Sequence, residues 1–269
     1  MTEIHQTAVV DPHAKIGKNV KIGPYSIVGP NVVLEEDVEL KPHVIIDGNT
    51  TIGARTVIYP GAVIGTKTQD KKFQGETTYV LIGPDCEIRE CATINSSCGE
   101  GTFVKVCAGC LIMAYCHIAH NCELGERVIM VNNATLGGHV TVGKCAIVGG
   151  LAAAHQFVRI GEYAIIGGMS RITHDVPPFT LGAGSPYRFG GLNLVGLKRH
   201  GFTLETRTAL SRAFKLVYRS GLTIQEALER IEQEIEPLPE IATWVEFCKS
   251  SKRGLLGFHD CEEKEQKED

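Results

Sequence analysis

The sequence predicts a mainly β solenoid of stacked parallel coils with a small α-helical domain at its C-terminal end. An apolar residue recurs every six positions over about 170 residues, too long a phase for chance. Glycine and other small residues recur in fixed phase with it. The period stops at Val176-Pro177-Pro178, and after a Gly-rich stretch to Gly191 apolar residues take up helical spacing.

Counted from Ile4, the first position of each hexad runs Val10, Ile16, Ile22 and on to Ile64. It resumes at Ile82, Ile88 and Ile94, and again from Val106 to Ile172. Of 29 positions in this phase, 25 are Ile, Val, Leu or Met; the exceptions are Asp70, Glu76, Glu100 and Ala154. The second position is often Gly, as at Gly17, Gly23, Gly125 and Gly143, and is expected to permit a tight turn. The fifth is small or β-branched, as at Ala8, Val20, Ser26 and Val44. One such repeat cannot bury its apolar residue, but stacked repeats can. Two interruptions, roughly 66–81 and 95–105, return in phase and are expected to project as loops from an unbroken stack.

This repeat resembles the hexapeptide-repeat acyltransferases. The resemblance implies triangular coils of three hexads, 18 residues, wound as a left-handed parallel β-helix. The handedness rests on the resemblance alone, because the usual crossover is right-handed. The expected organisation is a β-helix domain over 1–190, a helical domain over 191–256 and a charged, disordered tail over 257–269. In the helical part, Thr203 is a candidate N-cap. Leu210, Phe214, Val217 and Tyr218 form an apolar face, and further helices are expected from Thr223 and from Pro239.

Composition narrows the function classes. With 43% hydrophobic and 22% charged residues the chain reads as globular. A net charge of -4 gives no reason to expect nucleic acid or an anionic membrane as partner. Met1–Val10 lacks the pattern of a signal peptide and no apolar run is long enough to span a bilayer, so a cytoplasmic location is expected. Ten cysteines in a reducing compartment are then free thiols. Cys110, Cys116 and Cys122 fall six apart in the small-residue slot, which makes them core filler rather than zinc ligands.

Residues 18 apart should stack on neighbouring coils at strand spacing, about 4.8 Å. That places His120 beside Gly138 and two coils from Gln156, with His139 and His155 flanking. A histidine can act as general base near neutral pH. A main-chain N–H at a tight turn can hold a developing oxyanion. Together they supply what acyl transfer to a hydroxyl needs. Zinc carbonic anhydrases share the repeat, but their paired histidines are separated by four residues. Here His117 and His120 are separated by two, so no metal is expected.

A closer resemblance is carried by His117-Ile-Ala-His120-Asn121-Cys122, Asn132-Asn133-Ala134-Thr135-Leu136, Gly138-His139-Val140 and His155-Gln156-Phe157. It continues through Gln69-Asp70, Gln74-Gly75-Glu76, Asp175-Val176-Pro177-Pro178, Gly196-Leu197-Lys198-Arg199 and Tyr218-Arg219-Ser220-Gly221. These segments, spread over nearly the whole chain, resemble the UDP-N-acetylglucosamine O-acyltransferases, which begin lipid A synthesis. The resemblance implies transfer of a (3-hydroxy)acyl chain from acyl carrier protein to the sugar 3-hydroxyl, with no dissociable cofactor and no metal. The acyl-phosphopantetheine arrives on the carrier.

The same resemblance makes His120 the base and Gly138 the oxyanion donor. Asp70 and Lys72 would position the glucosamine, His117, His139, His155 and Gln156 would line the site, and Asn193 and Arg199 would hold the nucleotide end. Gly168 would be the acyl-chain ruler, open enough for a long chain. The family is a homotrimer with sites between subunits. Arg212, Lys215 and Arg219, at i, i+3 and i+7, form a basic face suited to an acidic carrier protein. Three departures stand out: Asn121 where the family often has Asp, His200 in a Lys-Arg-Arg pattern, and Val195 where an acidic residue is expected. Another hexapeptide transferase, such as the later N-acyltransferase or an acetyl-CoA enzyme, and a non-catalytic scaffold stay open as alternatives.

Overall fold

The computed structural model describes residues 1–257; the expected tail, apart from Gly257, lies outside the described residues. Most strands are two residues long, one per hexad, and each pairs in parallel with the strand one coil away. Glu3 pairs with Lys21 and Ile4 with Ile22, a register of 18 that recurs up the stack. Among the described residues the strands form three sheets, of 11, 9 and 8 strands, one for each face of the coil.

The inward residues meet along the axis. Ile22, Leu40, Ile58, Ile88, Ile112 and Met130, successive coils of one face, are at most 2% exposed. The fifth-position residues fill the space between them. Cys110, Cys116 and Cys122 lie here, at most 1% exposed, and burial pushes the Cys116 thiol up to about 11 and the Cys122 thiol up to about 12. The described cysteines are free. Cys116 and Cys122 point inward with Val and Ala neighbours, whereas His117 and His120 stand on the outer surface.

Glycine has a different task from the one its spacing suggests. The residue that turns each corner is the fourth of the hexad, with φ between 55° and 66° at Asn19, Tyr25, Asn121, His139, Phe157 and others. Few of these are glycines. Most are held by a hydrogen bond between coils, as from His139 N to His120 O at 3.0 Å. The second-position glycines instead allow coils to approach. A Cβ on Gly17 would stand 2.7 Å from the main-chain carbon of Glu35, and one on Gly143 2.4 Å from Glu162 N. The left-handed turn costs each non-glycine about 1–2 kcal/mol, which the inter-coil hydrogen bond offsets.

The two interruptions are whole hexads. Val57 pairs with Glu87, 30 positions on, so the first insert adds two. Thr93 pairs with His117, 24 positions on, so the second adds one. The polar exceptions in the repeat are explained by this: Asp70 and Glu76 belong to the first insert and Glu100 to the second. Ala154 is 5% exposed and stays in the core.

Beyond the coils, Thr180–Gly184 extends the largest sheet and pairs antiparallel with Tyr187–Leu192. This hairpin occupies the Gly-rich stretch, where the repeat gave no strand signal. The Tyr187 ring lies where a Cβ on Gly182 would be, which leaves no room for a larger residue. Four helices follow: α1 (Leu194–Arg199), α2 (Leu204–Arg219), α3 (Ile224–Glu234) and α4 (Pro239–Lys249). Thr203 caps α2 through Thr206 N, and Thr223 with Glu226 forms a capping box on α3. Leu210, Phe214, Val217, Ile231 and Trp244 share a second core with Phe179 from the end of the coils.

Candidate active site

His120, Gly138 and Gln156 are third-position residues of one corner, and the ladder His139 N to His120 O and Phe157 N to Gly138 O, 3.0 and 2.9 Å, stacks them. Gly138 is buried beneath the His120 ring. A Cβ there would lie 2.3 Å from both Cε1 and Nε2 of His120. Glycine at 138 is thus a requirement of the imidazole above it.

The imidazole is held on both sides. Its Nδ1 lies 2.8 Å from Asn121 Oδ1. The amide is oriented by Cys98 of the second insert: Asn121 Nδ2 donates to Cys98 O at 3.2 Å, and Cys98 N donates to Asn121 Oδ1 at 3.3 Å. Oδ1 can only accept, so Nδ1 carries the proton and Nε2 presents a lone pair. Nε2 faces Asp70 Oδ2 at 3.6 Å. The side chains of His120 and Asp70 are 13% and 23% exposed, screened from water yet reachable.

Asp70 comes from the first insert. The Lys72 N–H donates to its Oδ1 at 2.9 Å, and this bond, with the nearby His120 and Lys72 charges, holds its carboxyl below the usual range against a partial burial that opposes it. The Lys72 side chain is exposed. His139 stands edge-on to His120, ring centroids 5.2 Å apart, and stacks on Phe157 at 4.5 Å and 13°. Burial, and then the neighbouring His120, lowers the His139 pKa. His117, on the adjoining strand His117–Ile118, bonds Thr93 Oγ1 through Nδ1 at 2.7 Å and is lowered by burial alone. His155 and Gln156 are exposed at the same corner, His155 Nδ1 lying 3.2 Å from Gln156 O.

The other expected residues stand elsewhere. Asn193 is 7% exposed and caps α1, its Oδ1 accepting from Gly196 N and its Nδ2 donating to Tyr163 O, both at 2.9 Å. Arg199 is exposed in the last turn of α1. Gly168 lies on another corner, where a Cβ would meet only Gly150, its O at 3.1 Å and its N at 4.0 Å. Of the basic face on α2, Arg212 donates to Glu234 O at the end of α3, Arg219 lies over the Phe214 ring and Lys215 is exposed.

Thr93, Cys98 and Phe157 also belong to the site, although no sequence motif marks them as members. Phe157 follows from adding 18 to His139. Thr93 does not follow from the period, because the second insert lies between it and His117.

The arrangement offers a base with its free nitrogen beside a carboxylate, above a main-chain N–H at a corner. Comparison with known proteins places it in a family. The profile described as Udp N-acetylglucosamine O-acyltransferase, domain 2, matches residues 175–256. The bacterial transferase hexapeptide profile matches 103–138, and the GMPPB C-terminal domain profile matches 4–98. The acyl-[acyl-carrier-protein]–UDP-N-acetylglucosamine O-acyltransferase of Chlamydia caviae is 52% identical over 95% of this chain and 92% of its own. The enzyme of the same name from a Janthinobacterium is 45% identical over 95% of this chain and all of its own. The solved UDP-N-acetylglucosamine acyltransferase of Campylobacter jejuni superposes with a TM-score of 0.89 at 37% identity, covering 96% of this chain and 100% of that one. That of Moraxella catarrhalis gives 0.90 at 39%, covering 94% and 99%. These neighbours share the left-handed β-helix, and the chain belongs to the UDP-N-acetylglucosamine O-acyltransferase family of acyltransferases.

Proposed function

We propose that the chain transfers a (3-hydroxy)acyl chain from acyl carrier protein to the 3-hydroxyl of UDP-N-acetylglucosamine, the first step of lipid A synthesis, in the cytoplasm. The observation that carries this reading is the oriented imidazole: Nδ1 fixed on Asn121, Nε2 free beside Asp70, Gly138 below. His120 Nε2 takes the proton of the sugar hydroxyl as its oxygen attacks the thioester carbonyl. The negative charge that develops on the carbonyl oxygen is met by Gly138 N–H, which donates to no protein acceptor among the described residues. The intermediate collapses with cleavage of the C–S bond, and the thiolate of the carrier's phosphopantetheine takes the proton from His120.

In this reading Asp70, ionised, accepts from a glucosamine hydroxyl and stabilises the imidazolium that forms beside it. Lys72, His117, His139, His155 and Gln156 line the rest of the acceptor site, and Arg199, with the second lone pair of Asn193 Oδ1, serves the nucleotide end. Exposed Lys215, with Arg212 and Arg219, faces the acidic carrier. The site and the Gly168 corner, on different edges of the coil, come together in a homotrimer. No dissociable cofactor enters the reaction. A radiolabelled assay with UDP-N-acetylglucosamine and a panel of acyl carrier protein thioesters tests this. Wild type is expected to form the O-acyl product and His120→Ala to lose at least about 100-fold in rate. Absence of transfer from every thioester, or an unchanged rate in His120→Ala, would overturn it.

A further inference from the structure

The second insert touches both halves of the site. Ser96, 8% exposed, accepts from Thr68 N through its hydroxyl at 3.1 Å, and its own N donates to Thr66 O at 2.8 Å. Thr68 Oγ1 in turn accepts from Asp70 N at 3.3 Å. At the far end of the first insert, Thr77 N donates to Glu100 Oε2 at 2.9 Å and Gly101 N to Thr77 O at 2.8 Å. Cys98, between these anchors, holds the Asn121 amide by the reciprocal pair described above. The insert is braced internally by Thr102 Oγ1, which donates to Gly99 O at 2.7 Å.

We propose that this single added hexad is a positioning element for the reaction: Ser96 and Glu100 fix the loop that carries Asp70, and the main chain of Cys98 fixes the amide that orients His120. A polar cover over the coils would need neither set of contacts. The consequence for Asn121 is specific. An amide can donate to Cys98 O while accepting from His120 and Cys98 N. A carboxylate would set an oxygen against that carbonyl and lose the donor. The orienting residue is an amide here because its partner is a main-chain carbonyl.

The inference rests on the proposed acyl transfer, and the test separates the two. Glu100 is exposed, so Glu100→Ala is expected to fold, with Glu100→Gln keeping an acceptor oxygen. Glu100→Ala should raise the KM for UDP-N-acetylglucosamine about fivefold with kcat within about twofold, and Glu100→Gln should restore it. Asn121→Asp should lower kcat about fivefold with KM unchanged. Hydrogen exchange at the Thr68 and Thr77 amides, read without any substrate, should quicken in Ser96→Ala and Glu100→Ala respectively. A wild-type KM in Glu100→Ala, a kcat at or above wild type in Asn121→Asp, or unchanged exchange at both amides would each overturn the proposal. Inactivity of the wild type would overturn the acyl-transfer reading alone and leave the exchange measurement to decide this one.

Discussion

A side-chain carbon at position 138 would stand 2.3 Å from Cε1 and Nε2 of His120, so the imidazole occupies the volume that glycine leaves empty. Gly138→Ala therefore forces one of them to move. The His120 ring is the end of a rotatable side chain and gives way more easily than the coil. Gly138→Ala is expected to keep its melting temperature within about 2 °C. It should lose at least about 100-fold in kcat, because a displacement near 1 Å at the reacting atoms has that cost. Thermal unfolding and the acyl-transfer assay read the two effects separately. Loss of fold together with activity would show that the glycine serves the coil instead.

A stability prediction follows from Arg159 and Asp175, which fasten the helices to the end of the coils. Asp175 is 1% exposed and accepts from Arg159 N and Nε, each at 2.9 Å, and from Ser251 Oγ at 2.9 Å. Arg159 also donates to Phe247 O at 2.7 Å and to Ser250 Oγ at 3.0 Å, while its guanidinium lies over the Phe247 ring. Removing one member leaves the other's hydrogen bonds unmet, which costs about 3 kcal/mol or more. Asp175→Ala should melt roughly 6–12 °C lower. The double variant with Arg159→Ala should melt well above the sum of the single losses. A change under about 2 °C would show that the apolar contacts of Phe179 and Trp244 suffice.

How much of this was legible in the sequence depends on the period. Wherever the 18-residue coil is unbroken, counting places residues correctly: His120 over Gly138, Phe157 on His139, Cys116 in the core. Across an insert it does not, because the register jumps to 30 or 24. Thr93 and Cys98 were hidden for that reason. The glycine pattern was legible as a pattern but not as a cause, since close approach of coils and a left-handed turn both favour glycine. The hairpin after Phe179 and the short helix α1 carry too few residues for any periodicity to show. The role of Asn121 depends on a main-chain carbonyl 23 residues away, which no side-chain motif records.

The half-buried histidine on the neighbouring strand predicts a pH dependence of stability. Burial holds the His117 imidazole below its ordinary value of 6.5. The unfolded chain then binds the proton first as pH falls. Stability from this group is complete above the ordinary value and is lost as pH drops from there through the folded value. Melting temperature should fall between about pH 7 and about pH 5, and less steeply in His117→Gln, which cannot be protonated. Parallel curves for the two proteins would show that other groups set the acid limb.

Gly168 predicts which acyl chain is accepted. Among the described residues only Gly150 lies within 4 Å of where a Cβ at 168 would stand, and in the proposed reading glycine leaves the space beyond it to a long chain. Each methylene buried contributes about 0.8 kcal/mol, so the four that separate C14 from C10 contribute about 3 kcal/mol in favour of the longer chain. Wild type is expected to prefer about C14 over C10 and C18 thioesters, by roughly 100-fold against C10. Gly168→Met should fill the opening and move the optimum toward C10, with the KM for the sugar nucleotide unchanged, because in the proposed reading Gly168 meets the acyl chain and Asp70 meets the sugar. Rates on C10, C14 and C18 thioesters decide it. A C10 optimum in the wild type, or the same profile in Gly168→Met, would mean that the chain length is set by another residue.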